Sequence, residues 1–291
     1  MKSRTTRNTT PSFFEGEKWL VLTGLLGFLL SCICAGWVIL YGGHVSPNGN
    51  VLNAFSFNAA LGIFLLSTAA IAPFSGMGSK SRAAFRWSYI ILALYSYFAE
   101  TVQNFRGVNP RFVKGGAPFD VMVGSIFTFV ALLLIVGYLF FAVQYFRQRS
   151  SKLRPTLVLA IRYAMVAVVI SFVAGVWISF NHGRIVGLHG NIIWLHGLGF
   201  HALQAVPAVA LLAERSNLAE KVRSRPIHLA GITYLLGLVA IAAQTYQGFS
   251  ILEFSLLPLL ALGCFLVSIA SGALVLRRSL THRVVAANRL R

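Results

Sequence analysis

Eight apolar segments constrain this chain more than anything else in it. They run at about 19–41, 54–74, 86–106, 119–146, 157–180, 191–213, 228–247 and 255–276. Each is close to the ~20 residues that a helix needs to cross ~30 Å of hydrocarbon. Only 11% of the residues are charged, against roughly a quarter in a soluble domain. The expectation is an all-α integral membrane protein with eight transmembrane helices.

A net charge of +18 would suggest nucleic acid as the partner of a soluble protein. Here the basic residues fill the short gaps between apolar runs, which is the pattern that holds loops on the cytoplasmic side. Lys2, Arg4, Arg7 and Lys18 precede the first segment. Lys80, Arg82 and Arg86 fill the second gap, Arg147, Arg149, Lys152 and Arg154 the fourth, and Arg215, Lys221, Arg223 and Arg225 the sixth. Arg277-Arg278 open the carboxyl-terminal tail. Both termini are therefore expected in the cytoplasm, in a bacterial-type cytoplasmic membrane, with lipids rather than nucleic acid as partners. One outer loop breaks the trend with Arg106, Arg111 and Lys114. Cys32, Cys34 and Cys264 all lie inside apolar runs and read as small buried hydrophobes.

Four of the seven histidines fall between His182 and Gln204. His182, His189 and His196 recur every seven residues, each followed by glycine, and His201 lies deeper. Seven residues is close to two helical turns, which would put His189 and His196 on one helix face. His196 and His201 are separated by roughly 140° around a helix, so one ion cannot be chelated by these two alone. A metal would need ligands from several helices, whereas haem takes its axial ligands singly. Gly183, Gly187, Gly190, Gly197 and Gly199 would make room for a ring, or for close helix packing.

The chain also repeats itself. Ala99-Glu100-Thr101-Val102-Gln103-Asn104-Phe105 matches Ala243-Gln244-Thr245-Tyr246-Gln247-Gly248-Phe249 at an offset of 144 residues. Ala35-Gly36-Trp37 matches Ala174-Gly175-Val176-Trp177, Gly49-Asn50 matches Gly190-Asn191, and His44 falls opposite His182. Three matches in the same order imply two tandem four-helix repeats related by a pseudo-twofold axis along the membrane normal. The expected division is a tail at 1–18, repeats at 19–150 and 151–276, and a basic tail at 277–291. Phe55 and Ala60 in the first repeat correspond to His196 and His201 in the second.

An ionised Glu100 in the outer third of a helix needs a partner or water. Glu100 and His196 are the candidate catalytic pair, with Glu100 handling protons or holding a histidine. His182, His189, His201, Gln204, Arg106, Arg111 and Arg184 are candidate cofactor contacts, the arginines suited to propionates, phosphate or an anionic lipid. His196 and His201 are the candidate metal ligands. Three readings follow: a haem- or metal-binding membrane oxidoreductase; a transporter or lipid-handling protein with a polar cavity between the repeats, acting on a lipid-soluble or small-molecule substrate; or an assembly factor without catalysis. Plain packing and hydrogen bonding account for the same histidines. No helix interior offers a lysine for a Schiff base, Asp120 is the sole aspartate, and no Walker or dinucleotide fingerprint is present. Eight helices in two parallel halves with outer histidines resemble the architecture of haem A synthases. The Glu-x-x-His-Arg motif of that family is replaced by Glu100-Thr101-Val102-Gln103, so the resemblance transfers no residue roles.

Overall fold

The computed structural model describes residues 11–113, 116–148, 154–216 and 218–288. Lys114, Arg149, Lys152 and the outermost parts of both tails lie outside them. The described residues form eight α-helices: α1 (Lys18–Tyr41), α2 (Val51–Ile71), α3 (Ser79–Phe105), α4 (Pro118–Arg147), α5 (Pro155–Phe180), α6 (Ile192–Arg215), α7 (Glu220–Tyr246) and α8 (Leu256–Asn288). All except α3 are long and apolar enough to cross a membrane. The protein is a polytopic membrane protein. The lower hydropathy of α3 has a local cause, since Lys80, Arg82 and Arg86 crowd its first two turns and Glu100, Gln103 and Asn104 its last. It nevertheless runs the length of the bundle. Arg86 near its start pairs with Glu17 before α1 at 2.7 Å, and Asn104 near its end accepts the Asn50 backbone N–H at the start of α2.

Three helices extend past their apolar segments. α3 starts at Ser79 rather than 86, α7 at Glu220 rather than 228, and α8 continues to Asn288 rather than 276. Hydropathy marks only the part of a helix that meets hydrocarbon, and these extensions are polar and basic. The end of the amino-terminal segment is anchored rather than free. Phe13 packs edge-on against Phe74 at 5.0 Å, and Glu17 is buried between Arg82 and Arg86.

α1 and α2 are joined by a two-stranded hairpin, β1 (His44–Val45) and β2 (Gly49–Asn50); α5 and α6 are joined by another, β3 (Ile185–Val186) and β4 (Gly190–Asn191). They agree in register, cap and clasp. His44 opposes Asn50 as Ile185 opposes Asn191. Asn50 and Asn191 each cap the following helix through a side-chain oxygen, accepting from Leu52 and Ile193 at 3.0 and 3.1 Å. Each hairpin is pinned to the end of another helix: Asn48 N–H donates to the Gly107 carbonyl and His189 N–H to the Gly248 carbonyl. At the opposite end of the bundle, Ser75 and Ser216 make the same bond to Ala72 and Ala213, both 2.7 Å.

The first four helices pack mainly on one another, as do the last four. The two groups meet where α2 packs on α6 and α4 on α5. Two further contacts tie them at the bundle ends. On the tail side, Arg154 binds Glu214 and lies 4.9 Å over the Phe13 ring and 5.3 Å over Phe74. On the hairpin side, Phe112 meets the His182 ring edge-on at 6.3 Å.

Gly107 carries the tightest hairpin contact. Its φ of 79° is in the left-handed region, and a Cβ there would run into the Ser46 carbonyl. Gly107→Ala should therefore destabilise the protein by at least ~1–2 kcal/mol. Gly78→Ala, where a Cβ meets nothing within 4 Å, should be near neutral. Thermal unfolding of both variants in the same detergent checks this.

Candidate functional site

α6 begins at Ile192, so His182 and His189 are not helical. His189 lies in the turn of the preceding hairpin and His182 in the turn that closes α5, both exposed, with His182 at a left-handed φ of 48°. The expected shared face of His189 and His196 does not form. The Asn191 cap requires extended backbone at that point, and the helix cannot start earlier. The exposed Arg184 contributes its backbone carbonyl to the hairpin, accepting Ile192 N–H.

His196 is half-buried in the second turn of α6 and faces α5. Its Nδ1 lies 2.7 Å from the Ser171 carbonyl oxygen, and the Ser171 hydroxyl donates in return to the His196 carbonyl. A carbonyl only accepts, so Nδ1 carries the proton and the neutral ring keeps Nε2 as a lone-pair site. Gly175 makes this fit possible, because a Cβ there would stand 2.9 Å from the imidazole Cε1. Phe200 covers another side edge-on at 4.9 Å. Nothing lies within 4 Å of a Cβ built on the adjacent Gly197.

Glu100 does not pair with His196. α2 lies between α3 and α6, and the fully buried Glu100 carboxylate is held by Arg111 Nε at 2.5 Å and by Asn104 Nδ2 at 3.3 Å. The arginine comes from the loop that breaks the charge trend, and its guanidinium also lies 5.5 Å over the Phe57 ring. Arg106 is likewise engaged, with Asp120 at 3.3 Å and the Phe119 ring at 5.2 Å. Two of the arginines considered for an anionic group thus already have carboxylate partners. Gln103 is fully buried, and neither amide atom has a protein partner.

His201 points elsewhere. It is exposed, with Nδ1 at 3.1 Å from Gln204 Oε1, and Gln204 Nε2 donates across to Ser67 of α2 at 2.5 Å. His196 and His201 therefore serve two different interfaces, α5–α6 and α2–α6. Among the described residues, no three His, Cys, Asp or Glu side chains gather as a side-chain metal site would need.

Sequence reasoning missed Ser171, Ser67 and the Asp120–Arg106 pair. The matched sequence segments contain a signal for the first: Ser31 stands to Phe55 as Ser171 stands to His196, and Ser31 donates to the Phe55 carbonyl at 3.1 Å. No protein-family model, curated protein or solved structure matches the chain.

The Glu100–Arg111 pair yields a direct test. Glu100→Gln keeps the shape but leaves Arg111 without its counter-charge, which should cost about 1–3 kcal/mol. In a double-mutant cycle with Arg111→Gln, the pair should lose less than the two single changes summed. Simple additivity in detergent unfolding would remove the pair from the account.

Proposed function

We propose that this chain is a membrane-embedded redox protein that holds a haem-type cofactor through one imidazole of α6, His196. The observation that carries the reading is the 2.7 Å bond from His196 Nδ1–H to the Ser171 carbonyl. Ligating histidines commonly have their second nitrogen held in this way, which fixes the tautomer and raises the basicity of the free one. A haem needs a single axial imidazole from a given helix, and this suits a site where side-chain donors do not cluster. Bound haem would supply one-electron chemistry.

The chain's own residues have narrower tasks. Ser171 orients the ring, Gly175 admits it, and the open side of Gly197 leaves room beside it. Arg111 stays anchored on Glu100. That anchoring makes Glu100 a positioning group for the 106–113 loop rather than a free proton acceptor.

The same reading takes the chain as two tandem four-helix repeats, 19–150 and 151–276, about a pseudo-twofold axis along the membrane normal. Its support is the paired hairpins, the Asn50 and Asn191 caps, the Ser75 and Ser216 turns and the Gly107 and Gly248 clasps. Both termini are assigned to the cytoplasm, because Arg106, Arg111 and Arg184 are the only Lys or Arg among the described residues on the hairpin side. The His196 site then opens toward the extracytoplasmic face. A fluorescent protein fused after Arg291 should fold and glow, and a periplasmic phosphatase at the same point should be inactive.

Protein expressed with haem supplied and purified in detergent should show a Soret band with about one haem per chain. His196→Ala should abolish the band and Ser171→Ala, which leaves the carbonyl in place, should keep it. His201→Ala should also keep it. A wild-type preparation without a Soret band would end the reading.

A further inference from the structure

α2 and α6 differ from the other helices in what they show to the membrane. Each exposes one large apolar side chain, Leu52 and Trp194, both in the first turn, whereas every other helix exposes at least five. Their other exposed positions within the hydrocarbon depth are small or polar: Ser56 and Ala60 on α2, and His201, Ala205 and Ala208 on α6. Under the repeat alignment, Ala60 occupies the place of His201.

Helix contacts locate this surface. Around α2, the sectors toward α1, α3 and α6 are closed by α1–α3, α3–α4 and α4–α5 packing; around α6, those toward α5, α7 and α8 are closed by α5–α7 and α7–α8 packing. The sector left open on α2 lies between α6 and α1, and that on α6 lies between α2 and α8. These are the same opening. α4 packs on α5, but α8 and α1, their respective counterparts under the repeat, make no comparable contact. The result is a lateral groove facing lipid, walled by α1 and α8 and floored by α2 and α6.

His201 stands on that floor nine residues after the start of α6, about 14 Å along the helix, near the middle of a ~30 Å core. An exposed imidazole there would cost a few kcal/mol in lipid unless something hydrogen-bonds it. The polarity of its bonds can be read outward from the Ile63 carbonyl. That oxygen accepts the Ser67 hydroxyl proton at 2.7 Å, so Ser67 Oγ must accept from Gln204 Nε2. Gln204 then presents Oε1 to His201, whose Nδ1 must carry the proton. Nε2 is left as a hydrogen-bond acceptor, open to the groove.

We propose that the α1–α8 groove binds a lipid-soluble hydroquinone, its hydroxyl donating to His201 Nε2 and its ring lying on the small-residue floor. Four features select this occupant: mid-membrane depth, an acceptor that demands an O–H donor, a floor without bulky side chains and an opening toward lipid. Phospholipids keep their polar heads at the interface, whereas a hydroquinone has only hydroxyls to bring to this depth. The site needs no bound haem and stands apart from the His196 reading.

The test uses haem-free full-length protein in phosphatidylcholine nanodiscs, with a radiolabelled decyl-tailed benzohydroquinone measured against empty nanodiscs. Saturable binding of about one molecule per chain is expected. His201→Ala should weaken it about tenfold, the loss of one hydrogen bond, and His196→Ala should leave it unchanged. The bis-methyl ether of the probe, which has no O–H donor, should lose about the same. If His201→Ala does not fold, Ala208→Phe fills the floor and should abolish binding. Absence of saturable binding, or binding that neither His201→Ala nor the ether diminishes, overturns the proposal. So does a second copy of the chain seated in the groove, detected as a dimer cross-linked through Ala205→Cys.

Discussion

Close approach of two helix pairs, α1–α2 and α5–α6, is the condition on which the other features of this bundle rest. Lipid tails are as apolar as leucine, so helices in a membrane associate through van der Waals fit and interhelical hydrogen bonds rather than by escaping water. Glycines provide the fit. A Cβ on Gly24 would stand 3.0 Å from the Gly62 carbonyl oxygen, and one on Gly199 would stand 2.8 Å from that of Ala167. Only at such spacing can a serine hydroxyl on one helix reach a backbone carbonyl on the next, as Ser31 and Ser171 do. The tautomer of His196 is therefore a by-product of backbone proximity.

The same principle sorts the buried tyrosines. Tyr89, Tyr145 and Tyr234 are all buried, and each donates its hydroxyl to a carbonyl of another helix, Leu134, Ile71 and Leu198 respectively, at 2.6–2.7 Å. Such bonds are individually modest, ~0.6 kcal/mol on average in a membrane. Their value is directional, because each fixes the rotation of one helix against the next. Stacked rings of Phe85 and Phe141, 4.5 Å apart, fill the space between them.

Helix number and order were legible because a stretch of ~20 apolar residues has one stable form in hydrocarbon. The hairpins were not, since a two-residue strand has no periodicity to read, and Gly49-Asn50 and Gly190-Asn191 registered only as a repeat. Glu100 and His196 were correctly separated in sequence from the apolar background but wrongly paired. Depth along a helix can be counted from residues, whereas which helix stands between two others cannot. A loop arginine carries no sign of which carboxylate it will reach, so in sequence Arg111 looks the same as a contact for an external anion. Gln204 was singled out without its partner, as Ser67 lies 137 residues away.

The two ends of the bundle limit how the halves can move. Arg154 rests on Phe13 and Phe74 on the tail side while bound to Glu214, and Phe112 meets His182 on the hairpin side. Between these fastenings the halves touch through α2 and α6 and, on one flank, through α4 and α5; on the other flank they part. Rocking of one half against the other, the usual motion of a carrier that opens alternately to each face, would have to break one fastening at every swing. Spreading of the open flank breaks neither. The halves are held at both ends of their shared seam, and the flank where α1 and α8 face each other is the part of the molecule that can open without loss of a described contact.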